Sequence, residues 1–218
     1  MSFAGDEDRI PPYVWRVGLV VVVGSMMSIL DTTIVNVALD TLAHRLHATI
    51  DQIQWVATGY LLSLAAVIPT TGWAARRFGP KRLYLVSLVT FTAGSALCGL
   101  ASNTTELIVF RVLQGIGGGM ILPIGQLMLA QAAGPKRMGR VMSIVAVPMM
   151  LAPILGPTIG GLILDNASWR WIFYVNVPIG VIGVIAALRI LPRFERELGG
   201  AADPLDFFGL TLLAVGLP

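Results

Sequence analysis

Six apolar runs follow one another along this chain, each close to the ~20 residues a helix needs to cross a bilayer. They cover residues 17–39, 53–75, 83–101, 107–132, 141–164 and 171–191. Runs of that length, separated by short polar segments, predict six membrane-spanning helices. The charge content agrees. Only 12% of the residues are charged and 56% are hydrophobic, whereas soluble domains carry roughly 25% charge. The fold class is therefore all-α and polytopic. Residues 1–16 form a polar N-terminal segment, MSFAGDEDRIPPYVWR. No small-residue cleavage site follows the first apolar run, so a signal peptide is not expected.

A polar linker, PRFERELGGAADPLD, occupies residues 192–206, and another apolar run begins at 207–218. Twelve residues of helix rise only ~18 Å, too little to cross. The expectation is a seventh helix cut short, and hence an incomplete protein. Basic residues set the orientation. With the N-terminus inside, twelve of the fifteen Lys and Arg fall in inner segments and two, Arg45 and Arg170, in outer loops. The N-terminus is therefore expected on the cytoplasmic side. All five tryptophans lie near run ends, as in an interfacial aromatic belt. The net charge of +3 does not predict a nucleic-acid partner, because the charges sit in short loops between apolar runs.

Asp31 stands well inside the first run. A carboxylate at such depth costs at least ~2.5–3.5 kcal/mol on insertion scales and marks an ion or substrate path. Arg111, in the fourth run, keeps its charge at any attainable pH. It faces water, a carboxylate or a substrate, or it snorkels to the outer interface from about a turn inside the run. If the two charges meet, the cation favours the ionised acid, and their separation links conformation to protonation. Taken as two sets of three, the runs place Asp31 and Arg111 each on the first helix of a set. Sets of three spans are inverted relative to one another, a common transporter plan.

Small residues mark two further runs. Gly115 and Gly119 are four apart, a spacing that lets helices touch closely. Ala152, Gly156 and Gly160 make a second such stripe, with Gly161 beside it, while Pro148, Pro153 and Pro157 remove backbone donors and bend that helix. GIGGGM is not a dinucleotide fingerprint, lacking the third glycine spacing and the preceding strand. His44 and His47 lie in an outer loop without a third ligand, so no metal site is predicted. No Ser/His/acid set falls in the membrane runs, so an enzyme is not expected. A single cysteine, Cys98, reads as a small buried hydrophobe.

Several of these motifs resemble those of the major facilitator superfamily. Between the second and third runs stands GWAARRFGPKRL, a short glycine-bounded turn. Gly72, Arg77, Gly79 and Lys81 match the superfamily's loop signature, while Ala74, Arg76 and Pro80 depart from it. The signature's acid is a latch on the cytoplasmic side, and Arg76 cannot accept that hydrogen bond. The fourth-run motif R-x-x-Q-G-x-G-G-G begins at Arg111. The stripe Ala152, Gly156, Pro157, Gly160 and Gly161 resembles the superfamily's antiporter motif. LDTTIVNVAL and WRWIFYVNVPIG are similar to signatures of its 14-span drug:proton antiporter family.

The resemblance implies the six-helix N-terminal bundle of a major facilitator fold plus part of a seventh helix. It implies proton-coupled efflux of hydrophobic compounds, cationic ones included, with Asp31 and Arg111 at the coupling or substrate site. Gly115, Gly119 and the fifth-run stripe would serve helix packing and gating. No cofactor is implied beyond the proton as coupling ion. The implied partners are a small hydrophobic substrate, the lipid bilayer of the cytoplasmic membrane and a missing C-terminal half. Two alternatives stand beside this reading. One is a symporter or uniporter for another small solute, and the other is a truncated membrane protein that does not transport.

Overall fold

A computed structural model describes residues 10–192, and among them every regular element is helical. The expected linker beyond residue 192, the expected seventh helix at 207–218, and residues 1–9 of the N-terminal segment lie outside the described residues. The first span is α1, Pro12–Leu46, opened by Pro12 at its first position, where a missing N–H costs nothing. The second span is α2, Ile50–Val67, then a 3-10 turn at Ile68–Thr70, then α3, Thr71–Phe78. The third is α4, Pro80–Leu100. The fourth is α5, Thr104–Ala133, and the fifth is α6, Pro135–Asn166. The sixth is α7, Trp171–Tyr174, followed after one residue by α8, Asn176–Ile190. These make six helical spans long and apolar enough to cross a membrane.

Two helices start before their apolar runs because polar residues cap them. Thr49 and Gln52 form a reciprocal capping box that starts α2 at Ile50. Asn103 Oδ1 accepts from Glu106 N at 2.9 Å and starts α5 at Thr104. The segment holding His44 and His47 is mostly helix, since α1 runs to Leu46 and His47 is its left-handed cap (φ 51°).

The segment GWAARRFGPKRL is not a loop. Gly72 to Phe78 are helical, and the turn is made by Gly79 alone, at φ 86° and ψ 141°. Only glycine takes that backbone conformation without strain, and Pro80 at once begins α4. The same device recurs at Gly134 (φ 71°) and Pro135 between α5 and α6. Both turns read Gly-Pro-Lys-Arg.

In packing, α5 lies between α2 and α4, while α1 lies against α5, α6 and α8. Glycines set these approaches. A Cβ on Gly117 would meet the backbone of Ser87 and Phe91 of α4 at 2.7 and 2.5 Å, and one on Gly119 would meet Leu64 O of α2 at 2.6 Å. The buried apolar residues form two clusters. One includes Val21, Met27, Tyr84, Phe91 and Met128, the other Ile34, Val35, Leu107, Ile172 and Phe173. Between the two lies a polar waist. Trp169 belongs to the second cluster, buried edge-on against Phe173. It is core rather than belt, unlike Trp15, Trp55 and Trp171, which are exposed.

Candidate functional site

Asp31 occupies the waist, between Met27 of one cluster and Ile34 of the other, and is 0% exposed. Arg111, 1% exposed, meets it from α5. Its Nη1 donates to Asp31 Oδ2 at 2.5 Å. Snorkelling is thereby ruled out. Because α5 starts at Thr104, Arg111 lies about two turns inside the helix, too deep and too enclosed to reach the interface.

Gln114 of α5 and residues of three more spans complete the surroundings. Gln114 stands three residues after Arg111 and so shares its face. Its Nε2 donates to Asp31 Oδ1 at 2.9 Å, while its Oε1 accepts from Arg111 Nη1 at 2.9 Å. Asn176 Nδ2 donates to the same Oδ1 at 2.8 Å and to Ser95 Oγ at 3.1 Å. Ser95 Oγ in turn donates to Phe173 O at 2.9 Å. From α2, Val56 O accepts from Arg111 Nε at 3.2 Å. The Tyr60 ring lies 4.0 Å from the guanidinium carbon, a cation–π contact that helps hold a desolvated arginine.

The arrangement answers the cost of burying charge. A buried ion pair is tolerated when its geometry is good and the remaining polar atoms are satisfied. Here both carboxylate oxygens and three guanidinium contacts are filled. A neutral side chain in place of the Asp31 carboxylate would leave the Arg111 guanidinium a buried cation without its counterion.

Gln114 and Asn176 both stand in motifs noted in the sequence, yet neither had an assigned role. The i, i+3 spacing from Arg111 is the signal that finds Gln114. For Asn176 the signal is a lone amide in an apolar run two residues before Pro178. That proline lacks the N–H that would bond to Tyr174 O, and α7 and α8 part at Val175, beside Asn176. Ser95, and Cys98, whose Sγ lies 3.6 Å from Gln114 Oε1, carried no such signal.

The small-residue stripes divide. Gly115 backs onto α2, where a Cβ would meet Tyr60 O at 2.6 Å, and Gly119 does the same one turn on. Ala152, Gly156 and Gly160 are buried and face α1. A Cβ on Gly156 would collide with Thr33, two residues from Asp31, and one on Gly160 would touch Ile34 at 3.5 Å. Pro157 is exposed, and a Cβ on Gly161 would meet nothing within 4 Å. Those two lie off the α1 contact. Of the motif around Gly79, Gly72, Arg76 and Arg77 are exposed. Lys81 Nζ donates to Leu191 O and, at 3.2 Å, to Leu188 O, tying the start of α4 to the end of α8.

The Major Facilitator Superfamily model matches residues 21–212. The chain belongs to the major facilitator superfamily. It is a multi-pass membrane protein. It is 45% identical over 210 residues to the multidrug resistance protein B homolog of Mycobacterium tuberculosis, covering 96% of this chain and 38% of that protein. It is 42% identical over 193 residues to the multidrug export protein EmrB of Haemophilus influenzae, covering 88% of this chain and 38% of that protein. The chain thus spans about two-fifths of the length of these curated relatives. Its fold is similar to that of the superfamily's proton:xylose symporter XylE bound to 6-bromo-6-deoxy-D-glucose. The TM-score is 0.75 at 15% identity, over 85% of this chain and 46% of that one.

Proposed function

We propose that this chain is the N-terminal half of a proton-coupled exporter of hydrophobic compounds, cationic ones included. It would sit in the cytoplasmic membrane with its N-terminus inside. The observation that carries the reading is the Asp31–Arg111 pair, sealed at mid-span by Gln114 and Asn176. A titratable acid held by an arginine on another helix gives protonation a mechanical consequence. When Asp31 takes a proton, Arg111 loses its counterion and has to move or find another partner, so α1 and α5 shift relative to each other. When the proton leaves, the pair re-forms. Secondary transporters alternate access by rocking bundles about such a midplane site.

Three further observations support the reading. The names of the relatives at 45% and 42% identity concern multidrug resistance and export. The stripe on α6 packs Gly156 and Gly160 on Thr33 and Ile34 of α1, two and three residues from Asp31. The basic residues lie overwhelmingly on one side, as cytoplasmic loops do. Substrate, lipid and a second bundle are the partners in this reading, and the proton is the only co-reactant.

The test uses the full gene product in proteoliposomes with an imposed pH gradient. A fluorescent cationic dye and an uncharged one are followed together. Dye movement driven by the gradient, and abolished when an ionophore collapses it, is the expected result. Movement that ignores the gradient would exclude proton coupling, and uptake in the direction of the protons would make the protein a symporter.

A further inference from the structure

Three nitrogen atoms hold the Asp31 carboxylate, and each of them donates. Arg111 Nη1 reaches Oδ2, while Gln114 Nε2 and Asn176 Nδ2 reach Oδ1. The shell therefore suits the anion. A protonated carboxyl has a hydrogen to give, and none of these three atoms accepts one. For the acid form to sit here, one holder has to exchange a donor for an acceptor. Arginine has only donors and cannot do so. An amide can, because half a turn about its last bond swaps its oxygen and nitrogen.

The two amides differ in what opposes that turn. Gln114 Oε1 accepts from Arg111 Nη1 at 2.9 Å and from Cys98 Sγ at 3.6 Å. Turned over, its nitrogen would face the arginine donor, and two hydrogen-bearing nitrogens would meet in a buried site. Gln114 is therefore fixed for as long as Arg111 stays. Asn176 Nδ2 donates to Ser95 Oγ at 3.1 Å, and Ser95 Oγ donates to Phe173 O at 2.9 Å. With its hydrogen committed to Phe173 O, Ser95 shows Asn176 a lone pair and keeps the amide nitrogen toward it. A hydroxyl, unlike a guanidinium, both donates and accepts, and it rotates. Once Ser95 swings its hydrogen away from Phe173 O, it accommodates the amide oxygen instead.

We propose that Asn176 and Ser95 form a two-state switch that reads the charge of Asp31 and passes it to the backbone where α7 meets α8. The proposal rests on the reading of Asp31 as the proton site. Both are positioning residues, and neither takes the proton. In the ionised state Asn176 donates to Asp31 and Ser95 donates to Phe173 O, as the structure shows. In the acid state a proton from the aqueous phase sits on Oδ1. One O–H bond has formed, the negative charge is gone, and no other covalent bond changes. Asn176 Oδ1, with two lone pairs, then accepts from both the acid and Ser95, and Phe173 O loses the serine.

That loss falls at a weak point. The sixth span is interrupted at Val175, and Pro178 already withholds an N–H from Tyr174 O. The Phe173 ring also lies 6.0 Å from the guanidinium carbon of Arg111. A change of charge on α1 thus reaches α4 and the break in the sixth span through two side chains. The charged and titratable groups around Asp31 are Arg111 of α5, Tyr60 of α2 and Cys98 of α4. Tyr174 of α7 lies against Gly99. The charged residues of α6 and α8, Lys136, Arg137, Arg140, Asp165 and Arg189, stand near the helix ends.

The test is infrared difference spectroscopy of the purified full gene product as the pH is stepped down. One preparation carries a heavy-carbon label in the asparagine side-chain amide, another in the phenylalanine backbone carbonyl. Wild-type protein is expected to show an acid carbonyl band that is missing from the double variant Asp31→Asn with Arg111→Gln. Over the same pH range the asparagine amide band should shift, and that shift should be lost in Asn176→Ala. The phenylalanine carbonyl band should shift with it, and that shift should be lost in Ser95→Ala. Circular dichroism and a thermal midpoint establish that each variant is folded, and Asn176→Gln or Ser95→Gly replaces an alanine variant that is not. An Asp31 acid band without the asparagine shift or without the phenylalanine shift overturns the switch and leaves Asp31 standing as the proton site. So does a phenylalanine shift that persists when the Ser95 hydroxyl is gone. A wild-type spectrum with no acid band that the double variant removes overturns both.

Discussion

Asn176 Nδ2 donates to Asp31 Oδ1 at 2.8 Å, joining the sixth span to the first across 145 residues of sequence. The same nitrogen also donates to Ser95 Oγ of α4. One amide thus fixes the carboxylate from the side opposite Arg111, which enters at Oδ2. The acid is held from two sides, so loss of one partner need not release the other.

Asn176→Ala removes that second hold. A hydrogen bond to a charged acceptor contributes ~1.5–3 kcal/mol in soluble proteins, and side-chain bonds between membrane helices average nearer ~0.6 kcal/mol. The expected loss of stability lies between these values, read as a lowered thermal midpoint in detergent. Proton-driven dye export should fall without being abolished. Asn176→Asp should be worse, since it replaces the donor by a second acid and sets two like charges together. Equal export by wild type and Asn176→Asp would show that Oδ1 does not need this donor.

Span number and helix type were legible because hydropathy alone determines them. Helix ends were not, since Thr49 with Gln52 and Asn103 with Glu106 extend the helices by local capping that hydropathy does not register. The turn at Gly79 shows the same limit. A charged, glycine-bounded segment reads as a loop, yet one glycine at φ 86° followed by proline suffices to reverse the chain, and the arginines before it stay helical. Asp31 and Arg111 were legible as charges in apolar runs. That they touch was not, because the register of α1 against α5 is set by helix contacts distant in sequence. Gly94 of α4 is such a contact.

Gly94→Ala tests that register. A Cβ there would stand 2.7 Å from Gln114 Cα and 2.9 Å from Gln114 N. The obstruction is backbone, so no rotamer relieves it. Helix α5 must move away from α4, and Gln114 with it, from a position that now serves both Asp31 and Arg111. Overpacking of this kind typically costs ~1–3 kcal/mol. Gly139, where a Cβ would meet nothing within 4 Å, is the control. Gly94→Ala is expected to lower the thermal midpoint and impair export, and Gly139→Ala to do neither.

The stripe on α6 makes a sharper contrast, because neighbouring glycines differ. Gly156→Leu would drive a side chain into Thr33 of α1, whereas Gly161→Leu would extend into open space. Insertion into the membrane should survive in both, since neither change adds a polar group. Dye export should be impaired in Gly156→Leu and near normal in Gly161→Leu. Impairment in both would mean that the face carrying Gly161 is also a working contact in the complete transporter.

Asp31→Asn separates the chemistry from the architecture, with one complication that the burial of Arg111 imposes. The amide keeps the shape of the carboxylate and cannot titrate, so proton-driven export should be lost. It also leaves a guanidinium that is 1% exposed without its counterion. Breaking one side of a buried pair costs ~3–5 kcal/mol, so the single variant is expected to be unstable as well as inactive. Asp31→Asn with Arg111→Gln removes both charges and should recover much of the thermal midpoint while export stays absent. Asp31→Glu should retain part of the export. If the double variant exports dye across the pH gradient at the wild-type rate, the buried pair serves folding alone and the proton binds elsewhere.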